Sequence, residues 1–151
     1  MAKLGDYFSS EEKTNFISNN LRPGKIIYIY CDFTNPRKNK YLVIVSNSTY
    51  PFLFVINSKI TEFVQYNNSL LKCYVKLNCA NYEFLLHDSY INCFQVFHMD
   101  KDEIVSQIIL DMDRIKGELS LEDKEKVIEA VSLADTLAPR DKRLIIQGLR
   151  K

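Results

Sequence analysis

The sequence predicts an α+β fold, a strongly bent antiparallel β-sheet of small-barrel type closed by C-terminal helices and preceded by an N-terminal accessory helix. Three observations carry this. Between Lys25 and Phe97, short β-branched and aromatic runs recur at close spacing with turn residues between them. Their connections are short, which suits antiparallel pairing, because parallel pairing needs long crossovers. From Asp100 onward the pattern changes to capped, amphipathic helical segments.

The elements follow in order. Ser9-Ser10-Glu11-Glu12 reads as a helix start, a hydroxyl cap followed by acids at the positive end of the dipole. Asn19-Asn20 ends that helix, and its thin apolar content (Phe16, Ile17) marks it as accessory. Arg22-Pro23-Gly24 is a turn. Ile26 to Cys31 is a strand, Thr34 to Lys40 a polar basic loop, and Tyr41 to Val45 a second strand with Ser46-Asn47-Ser48 as its exit turn. Phe52 to Asn57 is a third strand. Leu70 to Leu77 is a fourth, with Leu71, Cys73 and Val75 alternating with Lys72, Tyr74 and Lys76. Phe84 to Leu86 and Tyr90 to Phe97 add two more. Asp100 caps a helix over about Lys101 to Arg114 with Ile104 and Ile108 inward. Ser120-Leu121-Glu122-Asp123 resembles a capping box and opens a helix whose apolar side is Val127, Ile128, Val131 and Leu133-Ala134. Pro139 precedes a final short helix, Arg140 to Gln147, ending at Gly148.

The length of 151 residues suits one domain with one core. Within it, 1–21 is a helical extension, 22–98 the β core and 99–151 the C-terminal helices. Lys+Arg is 20 against Asp+Glu 19, so bulk charge makes no case for a nucleic-acid partner, and any phosphate-binding surface must arise from local clustering. Met1 to Asp6 is too short and polar for a signal peptide, and no apolar run approaches a membrane span. A cytoplasmic protein without a membrane partner is expected.

The four cysteines, Cys31, Cys73, Cys79 and Cys93, form no Cys-x-x-Cys pair and sit among apolar residues, as buried free thiols do in a reducing compartment. Neither His87 nor His98 stands at zinc-ligand spacing from a cysteine pair, so no metal site is expected. Phosphate-cradling and hydrolase motifs are missing, and only four glycines are present. These features argue against nucleotide-dependent enzymes, and no cofactor is expected.

One local feature is basic. Arg37, Lys38 and Lys40 share a loop, with Lys25 at a neighbouring strand start and Tyr41 adjacent. Cations beside an aromatic ring suit a single-stranded nucleic acid, charge for phosphate and ring for base. The competing reading is a solvated hairpin loop. His87-Asp88-Ser89 is not a catalytic triad, because strand neighbours point to opposite faces. His87 is either an acid–base group or an ordinary loop or core histidine.

Taken together, these segments resemble the PemK/MazF family of RNA-cutting growth inhibitors. The matching residues are Pro23-Gly24-Lys25-Ile26-Ile27, Lys40 to Ser46, Val55-Ile56-Asn57-Ser58, Ser89 to Val96 with Asp100, Lys116-Gly117-Glu118-Leu119-Ser120, and Lys126 to Ala130. The resemblance spans about Leu21 to Leu137. It implies an SH3-like, PemK-type β-barrel and metal-independent cleavage of single-stranded RNA, through attack of the ribose 2′-hydroxyl on its own phosphate. It also implies an antitoxin protein as partner and a homodimer. Nine Tyr and nine Phe point the same way on oligomerisation, since aromatics are favoured at interfaces.

The family's Arg before the second strand and Thr/Ser after the third correspond to Lys40 and Ser58. With His87 as a third member these are the candidate catalytic residues, and Lys25, Arg37, Lys38 and Tyr41 are the candidate nucleic-acid-binding residues. Lys40 stands for the usual Arg, Lys25 for a common Asp and Tyr41 for a Pro, and Asn35-Pro36-Arg37-Lys38 replaces the family's Gly-Glu-Gln loop. The alternative is a catalytically inactive member of the same fold that binds nucleic acid or a protein partner.

Overall fold

The computed structural model describes residues 9–47 and 50–151. Met1 to Asp6 and the Ser48 end of the expected exit turn lie outside the described residues. Helix α1 (Ser10–Asn20) begins where expected: the Ser9 hydroxyl accepts from the Glu12 amide at 3.1 Å. Strands β1 (Lys25–Cys31), β2 (Lys38–Ser46) and β3 (Phe52–Asn57) follow the β-branched runs. Short helices α2 (Glu62–Gln65) and α3 (Asn68–Leu71) precede β4 (Tyr74–Leu77), β5 (Ser89–Asn92) and β6 (Phe97–His98). Then come α4 (Lys101–Leu110), β7 (Ile115–Glu118), α5 (Leu121–Leu133) and α6 (Pro139–Arg150).

Among the described residues, these strands form one curled antiparallel half-barrel in the order β4-β5-β3-β2-β1-β7, with β6 pairing on β3. Every pairing is antiparallel, both where the connection is short, as in β1–β2 and β2–β3, and where the partners lie far apart in the chain, as in β1–β7. Gly24 makes the turn into β1 at φ 95°, where its lack of Cβ removes the steric cost. Its N–H donates to the Ile44 carbonyl at 2.7 Å, and its carbonyl accepts from the Leu119 amide at 2.8 Å.

The central strands are apolar on both faces, and each face is covered. On one, Ile26, Val43, Val45, Phe54 and Ile56 pack with Val127, Ile128 and Val131 of α5 and Ile145 and Leu149 of α6. On the other, Ile27, Ile29, Leu42, Ile44 and Leu53 pack with Ile17, Leu21, Ile104 and Ile108. Of the expected apolar side of α5, Val127, Ile128, Val131 and the following Ala134 are buried, whereas Leu133, the last helical residue, is 51 % exposed. Helix α1 is more than an accessory: Ile17 is fully buried and belongs to the second core cluster, which α1 and α4 cover together.

Several boundaries differ from expectation, each for a local reason. The fourth strand starts only at Tyr74, because the Asn67 carboxamide caps α3 by accepting from the Leu70 amide. Phe84 to Leu86 is irregular rather than a strand. The Tyr90 to Phe97 run splits, because the Asn92 side chain accepts from the Phe94 amide at 3.0 Å and turns the chain. The fourth helix stops at Leu110, where Asp111 caps a separate 3-10 turn, Met112–Arg114. The segment 99–151 also supplies β7, so it is not purely helical. Helix α6 runs from Pro139 through Gly148 to Arg150. Gly148 serves packing rather than termination: a Cβ there would meet the Val45 carbonyl oxygen at 3.1 Å and Pro23 at 3.0 Å.

A buried polar junction joins the irregular segment to α5. The Tyr82 hydroxyl donates to the Asp123 carboxylate at 2.5 Å and accepts from the Ser120 amide at 3.2 Å. Ser120 in turn caps the helix through the Asp123 amide, completing the predicted start of α5.

Candidate functional site

The curl of the sheet leaves an open cleft of about 260 Å³ where the ends of β1, β2 and β3 meet the 84–89 segment. Its lining comes from chain segments far apart in sequence: Tyr28, Asn39, Lys40, Tyr41, Ile56, Ser58, Phe84 to His87, and Ser89. The three candidate catalytic residues, Lys40, Ser58 and His87, and the candidate ring Tyr41 thus border one cleft. None of the lining residues is acidic.

Aromatic contacts build the cleft floor. Tyr28 and Tyr41 are cross-strand partners with ring centroids 4.5 Å apart, and Tyr41 meets Phe84 at 5.3 Å. The Tyr41 hydroxyl donates to the Phe84 carbonyl at 3.2 Å, which ties the irregular segment to β2 and so places His87. Burial and the adjacent Tyr28 push the Tyr41 phenol up, so it stays protonated at neutral pH. His87 is exposed, and its carbonyl accepts from the Ser89 hydroxyl at 3.2 Å.

Lys40 borders the cleft, but its ammonium points elsewhere. Strand neighbours project to opposite faces, so Lys40 lies on the Leu42 side of β2 and Tyr41 on the Val43 side. The Lys40 Nζ donates to Asn57 Oδ1 at 2.7 Å. Burial holds this ammonium below the ordinary lysine value, and the Lys38 cation lowers it further, against an opposing pull from Cys31.

The other candidate binding residues lie outside the cleft. Lys25 is at the β1–β7 edge opposite Glu118. Burial pushes the Glu118 carboxyl up, but Lys124, Lys25 and Arg22 outweigh it and hold it below its usual value. Lys38 is exposed on β2, and its amide donates to Thr34 Oγ1. Arg37 lies on a separate surface with Asp32, Asp100, Asp102 and Glu103, where carboxylates oppose a phosphate. Alternation along β1 puts Tyr28 on the face of Ile26, a signal present in the sequence; no local pattern announces Asn39, Asn57 or Phe84 as neighbours. Arg114 also reaches this region: its Nη1 donates to the Tyr28 carbonyl and to Asn39 Oδ1, each at 3.0 Å.

The cysteines are free; Cys31, Cys73 and Cys93 are buried and Cys79 half-buried. Burial pushes the Cys31 thiol up to about 11. Among the described residues, no group of three or more His, Cys, Asp or Glu side chains is placed to share a metal ion, and no helix is long and apolar enough to cross a membrane. Compared with protein families and with curated proteins, the chain matches no family model and no curated relative.

Proposed function

We propose that the chain is an endoribonuclease toxin of the PemK/MazF type, with an SH3-like barrel, acting on single-stranded RNA in the cytoplasm and restrained by an antitoxin protein. One observation carries the reading: Lys40, Ser58 and His87, drawn from three separate segments, line one cleft floored by aromatic rings and free of lining carboxylates. A base stacks on Tyr28 or Tyr41 and its phosphate meets no like charge. His87 takes the proton of the ribose 2′-hydroxyl, whose oxygen attacks the adjacent phosphorus. The bond from phosphorus to the 5′-oxygen breaks, and that oxygen takes a proton from water. The Ser58 hydroxyl donates to a non-bridging phosphate oxygen. Lys40 neutralises the developing charge after exchanging the Asn57 oxygen for a phosphate oxygen, a swing its flexible stem permits.

The test is incubation of the purified protein with long single-stranded RNA in EDTA, followed by end-group analysis. The expected ends are 2′,3′-cyclic phosphates and 5′-hydroxyls. RNA left intact would remove the enzymatic reading in favour of a non-catalytic protein that binds nucleic acid or a protein partner. That second reading draws on the Lys40–Asn57 hydrogen bond, which occupies the very cation the chemistry needs.

Lys40→Ala is expected to slow cleavage by roughly ten- to a hundred-fold, since a charge-assisted contact is worth about 1.5–3 kcal/mol. The lowered ammonium gives a pH signature. Lys40 is charged below its own pKa, so its contribution to binding an uncleavable 2′-deoxy oligonucleotide fades as pH rises through that value, earlier than for an ordinary lysine. An alkaline binding profile identical in wild type and Lys40→Ala contradicts the contact.

The proposed enzyme works as a homodimer. Exposed Phe63 and Tyr66, 74 % and 87 % accessible, supply aromatic surface of the kind interfaces use. Light scattering at micromolar concentration should give twice the 17.7 kDa chain mass; a monomer mass alone rejects the dimer.

A further inference from the structure

We propose that Arg114 is a phosphate-binding residue of this cleft, holding a phosphate next to the scissile one; the inference rests on the RNA reading above and supplies the cation that Arg37 does not. Arg114 ends the 3-10 turn before β7, at the edge of the sheet, and its side chain crosses β1 to reach β2. One nitrogen, Nη1, is held by the Tyr28 carbonyl and by Asn39 Oδ1. Tyr28 and Asn39 both line the cleft, and Asn39 lies on the Tyr41 side of β2, opposite to Lys40. The guanidinium therefore stands on the face where a base would stack, whereas the Lys40 ammonium stands on the other.

A guanidinium carries five N–H donors in a rigid fork. The two bonds through Nη1 fix the plane and leave Nε and Nη2 unassigned to those acceptors. Among the described residues, no carboxylate lies within ion-pair distance of Arg114. A pre-oriented fork loses less freedom on binding than a mobile lysine does. The acidic surroundings of Arg37 make the opposite case for that residue.

The test uses a short single-stranded 2′-O-methyl RNA, which cannot be cleaved, and reads affinity across a salt series. Each neutralised phosphate on a single strand contributes about 0.7 to the slope of log K against log salt. Arg114→Gln should lower the slope by about 0.7, and Arg114→Lys, which keeps the charge but not the fork, should keep the wild-type slope. Both variants lose the Tyr28–Asn39 clasp, so a purely structural role moves them together. Equal slopes for the two variants, or a slope loss that falls on Arg37→Gln instead, overturn the inference and leave the RNA reading standing. A wild-type protein that binds no RNA at any salt overturns both. Thermal melting of each variant confirms that slopes are compared between folded proteins.

Discussion

Replacing His87 with alanine should lower the rate of RNA cleavage by about 10²–10⁴-fold, the usual contribution of a positioned acid–base group. His87 is the only imidazole in the cleft lining, and imidazole is the side chain most often used as a general base. Tyr41 cannot take this part, because burial keeps its phenol protonated. The Lys40 ammonium can neutralise charge but must lose its proton before acting as a base. The loss should appear in kcat, with little change in binding of the 2′-O-methyl RNA, since the imidazole acts on a proton in flight rather than on a bound phosphate. His98→Ala is the comparison. That ring packs edge-on against Phe52, at 4.8 Å between centroids, outside the cleft. If both histidine variants retain wild-type cleavage, the chemistry assigned to His87 is wrong; if both lose it equally, the cleft is not where the reaction occurs.

Phe54→Ala should cost about 3–5 kcal/mol of stability, the range for deleting a fully buried aromatic ring. Phe54 is fully buried, pairs across the sheet with Val43, and belongs to the cluster that joins β2 and β3 to α5 and α6. The interior packs too densely to refill the space, so the cavity penalty adds to the lost transfer energy. Domains of this kind have roughly 5–15 kcal/mol in total, so the variant stands close to the unfolding threshold. Urea titration measures the effect as a lower midpoint at unchanged slope. Leu110→Ala provides the contrast: at 85 % exposure its loss should stay within about 0.5 kcal/mol. Equal midpoints for the two variants would mean that the sheet does not pack on the C-terminal helices as described.

Much of the fold was legible in the sequence. The runs Ile26 to Cys31, Tyr41 to Val45 and Phe52 to Asn57 became β1, the core of β2, and β3, because β-branched and aromatic side chains favour extended backbone and were long enough to show it. Ser9, Asp100 and Ser120 each cap a helix, since capping depends only on residues within one turn. The apolar spacing in α5 also fixed which side faces inward. The sequence further singled out Lys40, Tyr41, Ser58 and His87, which border one cleft.

The tertiary structure decided the rest, and the reason is common to every case. Strand β7 forms only because β1 offers it a free edge, and a short segment such as Ile115–Glu118 carries too little periodicity to announce itself. Gly148 reads locally as a helix stop, yet the helix continues, because the glycine is needed where α6 meets Val45. Phe84 to Leu86 looks like a strand but is held as a loop by the Tyr41 hydroxyl. Lys40 and Arg37 read as one basic cluster, but strand alternation and the course of the loop sent their charges to Asn57 and to an acidic surface. Arg114, far along the chain, crossed β1 to bond Tyr28 and Asn39, two residues of the cleft lining. Local spacing encodes backbone propensity and facing. It does not encode which distant groups satisfy one another's hydrogen bonds, and that pairing determined where these charges are held.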